Sequence, residues 1–369
     1  YESLRNATAP ENQQGSYVWE LHNVKVSEVV DNDVAVALKV LAGFGPGVLS
    51  TYDVIYSDDP TIYGIGEDLF KYKQIPLSQV QAVNSMIRVE NLGKLDQEGV
   101  AIVATEANAG YTSTSTPITL ATGADAIMKV ENGFTPAGEG DYTIEYEIVA
   151  DATDEFPSNN QIESYNFSVG QYTYAVDDAG DAAKSSATLP RAWSASGIGK
   201  PIEIGVLYEI VSTVELTAID IKLGCNSPSE GDEVWGVIYK DGENVMNQVN
   251  PTYLTETEHY VNGSDDKGKY LTLMFDEPVT LTPGKYVVSA KSFDLDFSVA
   301  SSGDNNYYGT FIYGDLAVDP GVGELWFPLS DDGAPVIRMN FDPTLSVSSN
   351  ELNELGLTQY PNPFSNETT

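Results

Sequence analysis

Tyr142-Thr143-Ile144-Glu145-Tyr146-Glu147-Ile148 is the stretch that decides the fold class. Ile144, Tyr146 and Ile148 fall on one side of an extended chain; Thr143, Glu145 and Glu147 fall on the other. A period of two marks an antiparallel strand with one face in a core and one in water. Outward from it the texture is the same. Val100-Ala101-Ile102-Val103-Ala104 reads as a more buried strand. Val234-Trp235-Gly236-Val237-Ile238-Tyr239 runs into Lys240-Asp241-Gly242, an Asp-Gly pair that predicts a hairpin. Trp235, on that alternating strand, is read as core. Gly, Asn, Asp and Pro punctuate such segments along the chain. Ser78 to Ser85 and Asn350 to Leu357 each allow a turn or two of helix, and no long amphipathic helix is found. Parallel α/β folds need helical crossovers, so they are excluded. The expected architecture is all-β: tandem antiparallel β-sandwiches.

Composition bounds the function. The chain has 369 residues, 18 Lys plus Arg, 55 Asp plus Glu and a formal charge of −37. No basic excess exists to displace counterions from nucleic acid or to dock on anionic lipid. With 41% apolar residues the chain is too hydrophobic for an acidic disordered segment. No apolar run reaches the ~20 residues that span a bilayer as a helix. Cys225 is the sole cysteine, so no disulfide forms within the chain, and it reads as a small buried hydrophobe. His22 and His259 are the only histidines, too few for a Cys/His zinc site, and read as surface or edge residues.

The most specific motif lies at the end of the chain. Tyr360-Pro361-Asn362-Pro363-Phe364, after the Leu355-Gly356-Leu357 approach, resembles the opening of the C-terminal sorting domain of type IX secretion cargo from Bacteroidetes. Only the first strand of such a domain is present. Met86 to Gly93, Val100 to Ala104, Gly140 to Ile148, Asp151, the Pro157-Ser158-Asn159-Asn160 turn and Tyr165 to Val169 resemble bacterial Ig-like domains of the cell-adhesion-related type. The stretch between Gly43 and Gln74 looks like an insertion. Residues 17–27 resemble the last strand of a preceding jelly roll. Ile198-Gly199, Tyr208 to Ile210, Val214 to Leu223, Leu281 to Val288 and Pro335 to Phe341 resemble a carbohydrate-binding-type sandwich.

These resemblances imply four segments. Residues 1–27 end a truncated jelly roll, and 28–172 form an Ig-like sandwich with an insertion. Residues 173–343 form a second, carbohydrate-binding-like sandwich, and 344–369 are a linker and the start of the sorting domain. The implied protein is secreted or anchored at the outer surface, engages the type IX machinery, and has a structural or adhesive role. Its Ig-like spacer presents a terminal sandwich to a glycan or surface ligand. The alternatives are a noncatalytic accessory region of a larger secreted peptidase or glycosidase, or a carbohydrate-binding module.

Candidate chemistry is sparse. Asp pairs crowd the predicted loops, and calcium takes six to eight hard oxygens from such groups. Asp177, Asp178 and Asp181, with Asp331 and Asp332 returning beside them, are the preferred cluster; the competing reading is a solvated acidic surface. No segment has EF-hand spacing. With 55 acids, carboxylate pairs carry no information about glycoside hydrolysis, and no catalytic residue is assigned. A sugar platform is sought in Tyr307, Tyr308 and Trp326, with Trp193 as a weaker candidate.

Overall fold

The computed structural model describes residues 29–36, 41–44, 72–177, 201–224, 230–242, 250–293, 297–302, 310–314, 325–328 and 334–346. Those residues are nearly all strand and turn. The first group of strands is β1 (Val34–Val36), β2 (Leu41–Phe44), β3 (Gln74–Pro76), β4 (Val83–Asn91) and β5 (Gln97–Glu106). It continues with β6 (Tyr111–Thr114), β7 (Ile118–Leu120), β8 (Asp125–Lys129), β9 (Gly140–Val149) and β10 (Tyr165–Gly170). They make one sheet of order β1-β4-β2, with β8 also on β4, and another of order β3-β10-β9-β5-β6, with β7 on β5. Pairing is antiparallel except between β3 and β10.

The second group begins with β11 (Thr173–Tyr174), β12 (Ile202–Ile210), β13 (Val214–Lys222), β14 (Glu233–Lys240) and β15 (Thr252–Glu256). Next come β16 (Tyr260–Val261), β17 (Tyr270–Leu281), β18 (Gly284–Ser292) and β19 (Ser301–Ser302). The last are β20 (Thr310–Gly314), β21 (Leu325–Pro328), β22 (Ala334–Pro335) and β23 (Ile337–Asn340). A four-stranded sheet, β11-β23-β13-β17, faces a seven-stranded one, β15-β14-β18-β12-β20-β21 with β16 on β14. Their closest approach uses Gly236: a methyl group there would come within 2.9 Å of Ile219 Cδ1 on β13.

The alternation read at residues 142–148 is present on β9, where Ile144 is buried and Glu145 and Glu147 are exposed. Val100 to Ala104 lies inside β5 between β9 and β6, with Val100, Ala101, Ile102 and Ala104 buried. Val100 and Ile102 each contribute about 1.5–3 kcal/mol when fully buried. The hairpin read at Asp241-Gly242 exists as β14–β15, with Asp241 in the left-handed region at φ 63°, although Lys240 pairs with Thr252 and the connection is longer than two residues. The helical turn expected over Ser78 to Ser85 is a correction. Leu77–Gln79 makes one 3₁₀ turn, and β4 starts at Val83. The second possible turn, Asn350 to Leu357, lies outside the described residues, as do residues 17–27 and 45–71.

Buried polar side chains hold the first sandwich together. Asn91 is buried; its Nδ2 donates to Leu95 O and Leu120 O at 2.9 Å, and its Oδ1 accepts from Gly93 N. Gly93 is small because a methyl group would meet Asp31 O at 2.6 Å. Asn159 Nδ2 donates to Asp33 Oδ1, and Val34 N donates to Asp154 Oδ2. Ser85 Oγ and Tyr146 Oη, 2.7 Å apart, tie β4 to β9 across the sandwich.

One bridge, Gln74 to Ala175, joins the ladders of the two groups among the described residues. Side chains do the rest. Tyr72, Tyr174 and Tyr208 are fully buried, with ring centroids 4.4 Å (72–174), 5.1 Å (174–208) and 5.9 Å (72–208) apart. Tyr72 Oη accepts from Glu209 N at 2.8 Å, Tyr174 Oη donates to Glu209 O, and Tyr208 Oη donates to Ile337 O. Beside them Gln79 is buried. Its Oε1 accepts from Val211 N and Ser212 N, and its Nε2 donates to Ser212 O at 3.0 Å. The hydrophobic core therefore runs unbroken from the first group of strands into the second.

Candidate functional site

The outer face of the seven-stranded sheet carries the densest chemistry among the described residues. On β12, Ile202, Ile204, Val206 and Tyr208 turn toward the four-stranded sheet. Strict alternation then sends Glu203, Gly205 and Leu207 the other way. The ladder register lines up one residue from each of five strands across that outer face. Trp235 on β14 pairs with Lys291 on β18, Lys291 with Glu203 on β12, Glu203 with Tyr313 on β20, and Tyr313 with Trp326 on β21.

The middle of the row is closed. Glu203 is buried, and its carboxylate accepts from Tyr239 Oη at 2.8 and 2.9 Å and from Ser289 Oγ at 2.6 Å. Burial raises its pKa, while the Ser289 and Tyr239 hydroxyls pull it down. Burial also pushes the Tyr239 hydroxyl up, and the Glu203 charge adds to that. Trp326 lies over Gly205, where a methyl group would come within 2.8 Å of its ring, and packs edge-on against Tyr239. Trp326 is 3% exposed, so the residue expected in a sugar platform belongs to this covered layer.

The other end of the row is open, and it corrects a second expectation. Trp235 is half-buried on the outer face, not in the core, because Gly236 and not Trp235 faces Ile219. The Trp235 ring meets Phe293 at 5.6 Å and 81°, and His259 at 5.7 Å and 45°. Lys291 Nζ lies 5.5 Å from the Trp235 centroid and 5.8 Å from that of Phe293, and Glu256 holds it at 2.8 Å. His259 Nε2 is 3.6 Å from Glu233 Oε1.

The expected cation cluster comes out differently. Asp177 is fully buried, and Arg338 clasps it: Nε reaches Oδ1 at 3.0 Å and Oδ2 at 3.1 Å, and Nη2 also bonds Oδ2. Burial lowers the Arg338 pKa and the Asp177 carboxylate more than offsets this, so the net shift is upward. The carboxylate that the loop reading offered to calcium is thus taken by a guanidinium. Asp178, Asp181, Asp331, Asp332, Tyr307, Tyr308, Trp193, Cys225, His22 and Tyr360, Pro361, Asn362, Pro363 and Phe364 lie outside the described residues. Among the described residues no group of three or more His, Cys, Asp or Glu is arranged to hold a metal ion. No helix among them is long and apolar enough to cross a membrane.

Sequence reasoning missed Glu203, Lys291 and Phe293. The signal for Glu203 was present: a carboxylate at an alternate position in the otherwise apolar strand from Ile202 to Tyr208. Lys291 and Phe293 gave none, since their grouping depends on the β14–β18 register.

The geometry defines an all-β protein of tandem antiparallel sandwiches with an aromatic corner beside the Lys291–Glu256 ion pair on one outer face. No family model matches the chain, and no curated protein matches it. Among solved structures it is similar to a two-domain protein of unknown function from Bacteroides fragilis. The identity is 9% and the TM-score 0.19, over 82% of this chain and 94% of that one.

Proposed function

We propose that this is a non-enzymatic, surface-displayed protein whose first sandwich is a stiff spacer and whose second is the presented, adhesive end. The observation that supports this reading is the junction. A spacer must transmit position, and a hinge between two sandwiches is lost when both contribute to one core. Here Tyr72 accepts from Glu209 N, Gln79 bonds Val211 N and Ser212 O across the two units, and the Tyr72 ring packs against those of Tyr174 and Tyr208. The route to the surface would be type IX secretion, as the Tyr360 to Phe364 motif implies.

The test is a distance measurement. Spin labels on exposed Glu145 and exposed Glu277, one in each sandwich, report the spread of separations by pulsed electron resonance. A narrow distribution is expected. A broad one would remove the spacer reading. Export is tested separately: deleting the sorting region from Tyr360 onward from the protein in its host is expected to hold it in the periplasm, and unchanged surface delivery would refute that route.

A further inference from the structure

The open end of the outer-face row is built unlike an ordinary surface. Phe293 is 45% exposed, Trp235 is half-buried, and the two rings stand nearly perpendicular, with His259 also against the Trp235 ring. Hydrogen-bonding groups of both signs border these rings: Lys291 with Glu256, and His259 with Glu233. Scattered exposed apolar residues need no explanation, but a ring corner framed by paired charges does. It sits on paired strands, since Trp235 is in register with Lys291, so its geometry exists before any ligand arrives.

We propose that this corner, formed by Trp235, Phe293, His259, Lys291 and Glu256, is a binding site for a neutral glycan. A sugar ring has an apolar C–H face that matches an aromatic ring, and hydroxyls around its edge that match carboxylate, ammonium and imidazole. An anionic polymer is disfavoured. The chain carries −37, Glu233 and Glu256 border the site, and the ammonium of Lys291 is already engaged by Glu256. A second copy of the chain is disfavoured by the same charge. A corner of three rings also falls short of the ~800 Å² per partner of a stable protein interface. The row closes at buried Glu203, so the corner takes the sugar units at the sheet margin and not a chain laid across all five strands.

The proposal rests on the second sandwich being the presented end. The labelling experiment contains no glycan, so the two can fail independently. The test is affinity electrophoresis of the full chain through gels containing laminarin, galactomannan or xylan, with polygalacturonate as the anionic control. Retardation by at least one neutral polysaccharide and none by polygalacturonate is expected. Phe293→Ala should weaken that retardation about tenfold, the loss of one aromatic contact. Trp235→Ala should abolish it, with thermal melting used to confirm that the variant is folded. No retardation by any of the three would overturn the proposal. So would retardation unchanged in Phe293→Ala, or stronger in polygalacturonate. Sedimentation showing dimers that Phe293→Ala dissolves would overturn it too, and would assign the corner to a second copy.

Discussion

Two aromatic clusters in this molecule are built from similar residues and do opposite things. At the junction, the rings of Tyr72, Tyr174 and Tyr208 are covered on all sides and their hydroxyls are committed to backbone groups. At the outer corner, Trp235, Phe293 and His259 meet at comparable centroid distances, yet Phe293 and His259 keep much of their surface in water. The difference lies in what the polar atoms do. Junction hydroxyls are spent on backbone groups, and that of Tyr72 bonds across the two units. Corner charges pair with one another beside the rings and leave ring surface free. Aromatic content alone therefore does not separate stiffening from recognition; coverage does.

The largest loss is expected from the ionic clasp inside the second sandwich, between the segment after β11 and β23. Asp177→Asn leaves Arg338 facing a neutral amide in a largely buried site, and should cost about 3–5 kcal/mol. Denaturant titration of the full chain measures it, and a loss below about 1 kcal/mol would show that the pair contributes little to stability. Gln79→Ala should cost less, about 1–3 kcal/mol, because it strips partners from Val211 N and Ser212 N without opening a large cavity. Its sharper readout is the label-to-label distance distribution, which should broaden.

Alkaline pH should act next, through the buried tyrosines. Burial pushes the hydroxyls of Tyr165, Tyr174 and Tyr208 well above their ordinary value. A raised folded pKa means that this contribution to stability is complete below the unfolded value of about 10 and is lost as pH rises through the folded values. These tyrosines should ionise together with unfolding in an ultraviolet titration. A fraction of the phenols matching the exposed tyrosines should titrate earlier, with the fold intact. A single smooth titration of all phenols near pH 10 would contradict the buried cluster. The smallest effect belongs to the corner: Phe293→Ala should change stability by no more than about 0.5 kcal/mol. A larger loss would mean that Phe293 is part of the core and not a recognition surface.

Much of the fold was legible because strand alternation is a local property. Tyr142 to Ile148 and Val100 to Ala104 read correctly from their own residues. Trp235 did not. In Val234-Trp235-Gly236-Val237-Ile238 both faces are apolar, so the pattern cannot say which face meets the other sheet. Ser78 to Ser85 misled for another reason. The helical pattern there competes with Gln79, whose side chain is committed to Val211 and Ser212, more than 130 residues away. Asp177 was not legible either, since its partner, Arg338 on β23, is 161 residues away in the chain.

By itself, the sequence determined that this is an all-β, acidic protein whose strands come in two successive groups. Residue type and a period of two are enough to specify strands, and charge is a simple count. Which rings are covered was decided by tertiary structure alone. So were the burial of Glu203 and the grouping of Trp235, Phe293 and Lys291. Those outcomes depend on strand register and on which face of a sheet meets its partner. Both are set by side chains far apart in the chain that become neighbours only when the sheets close.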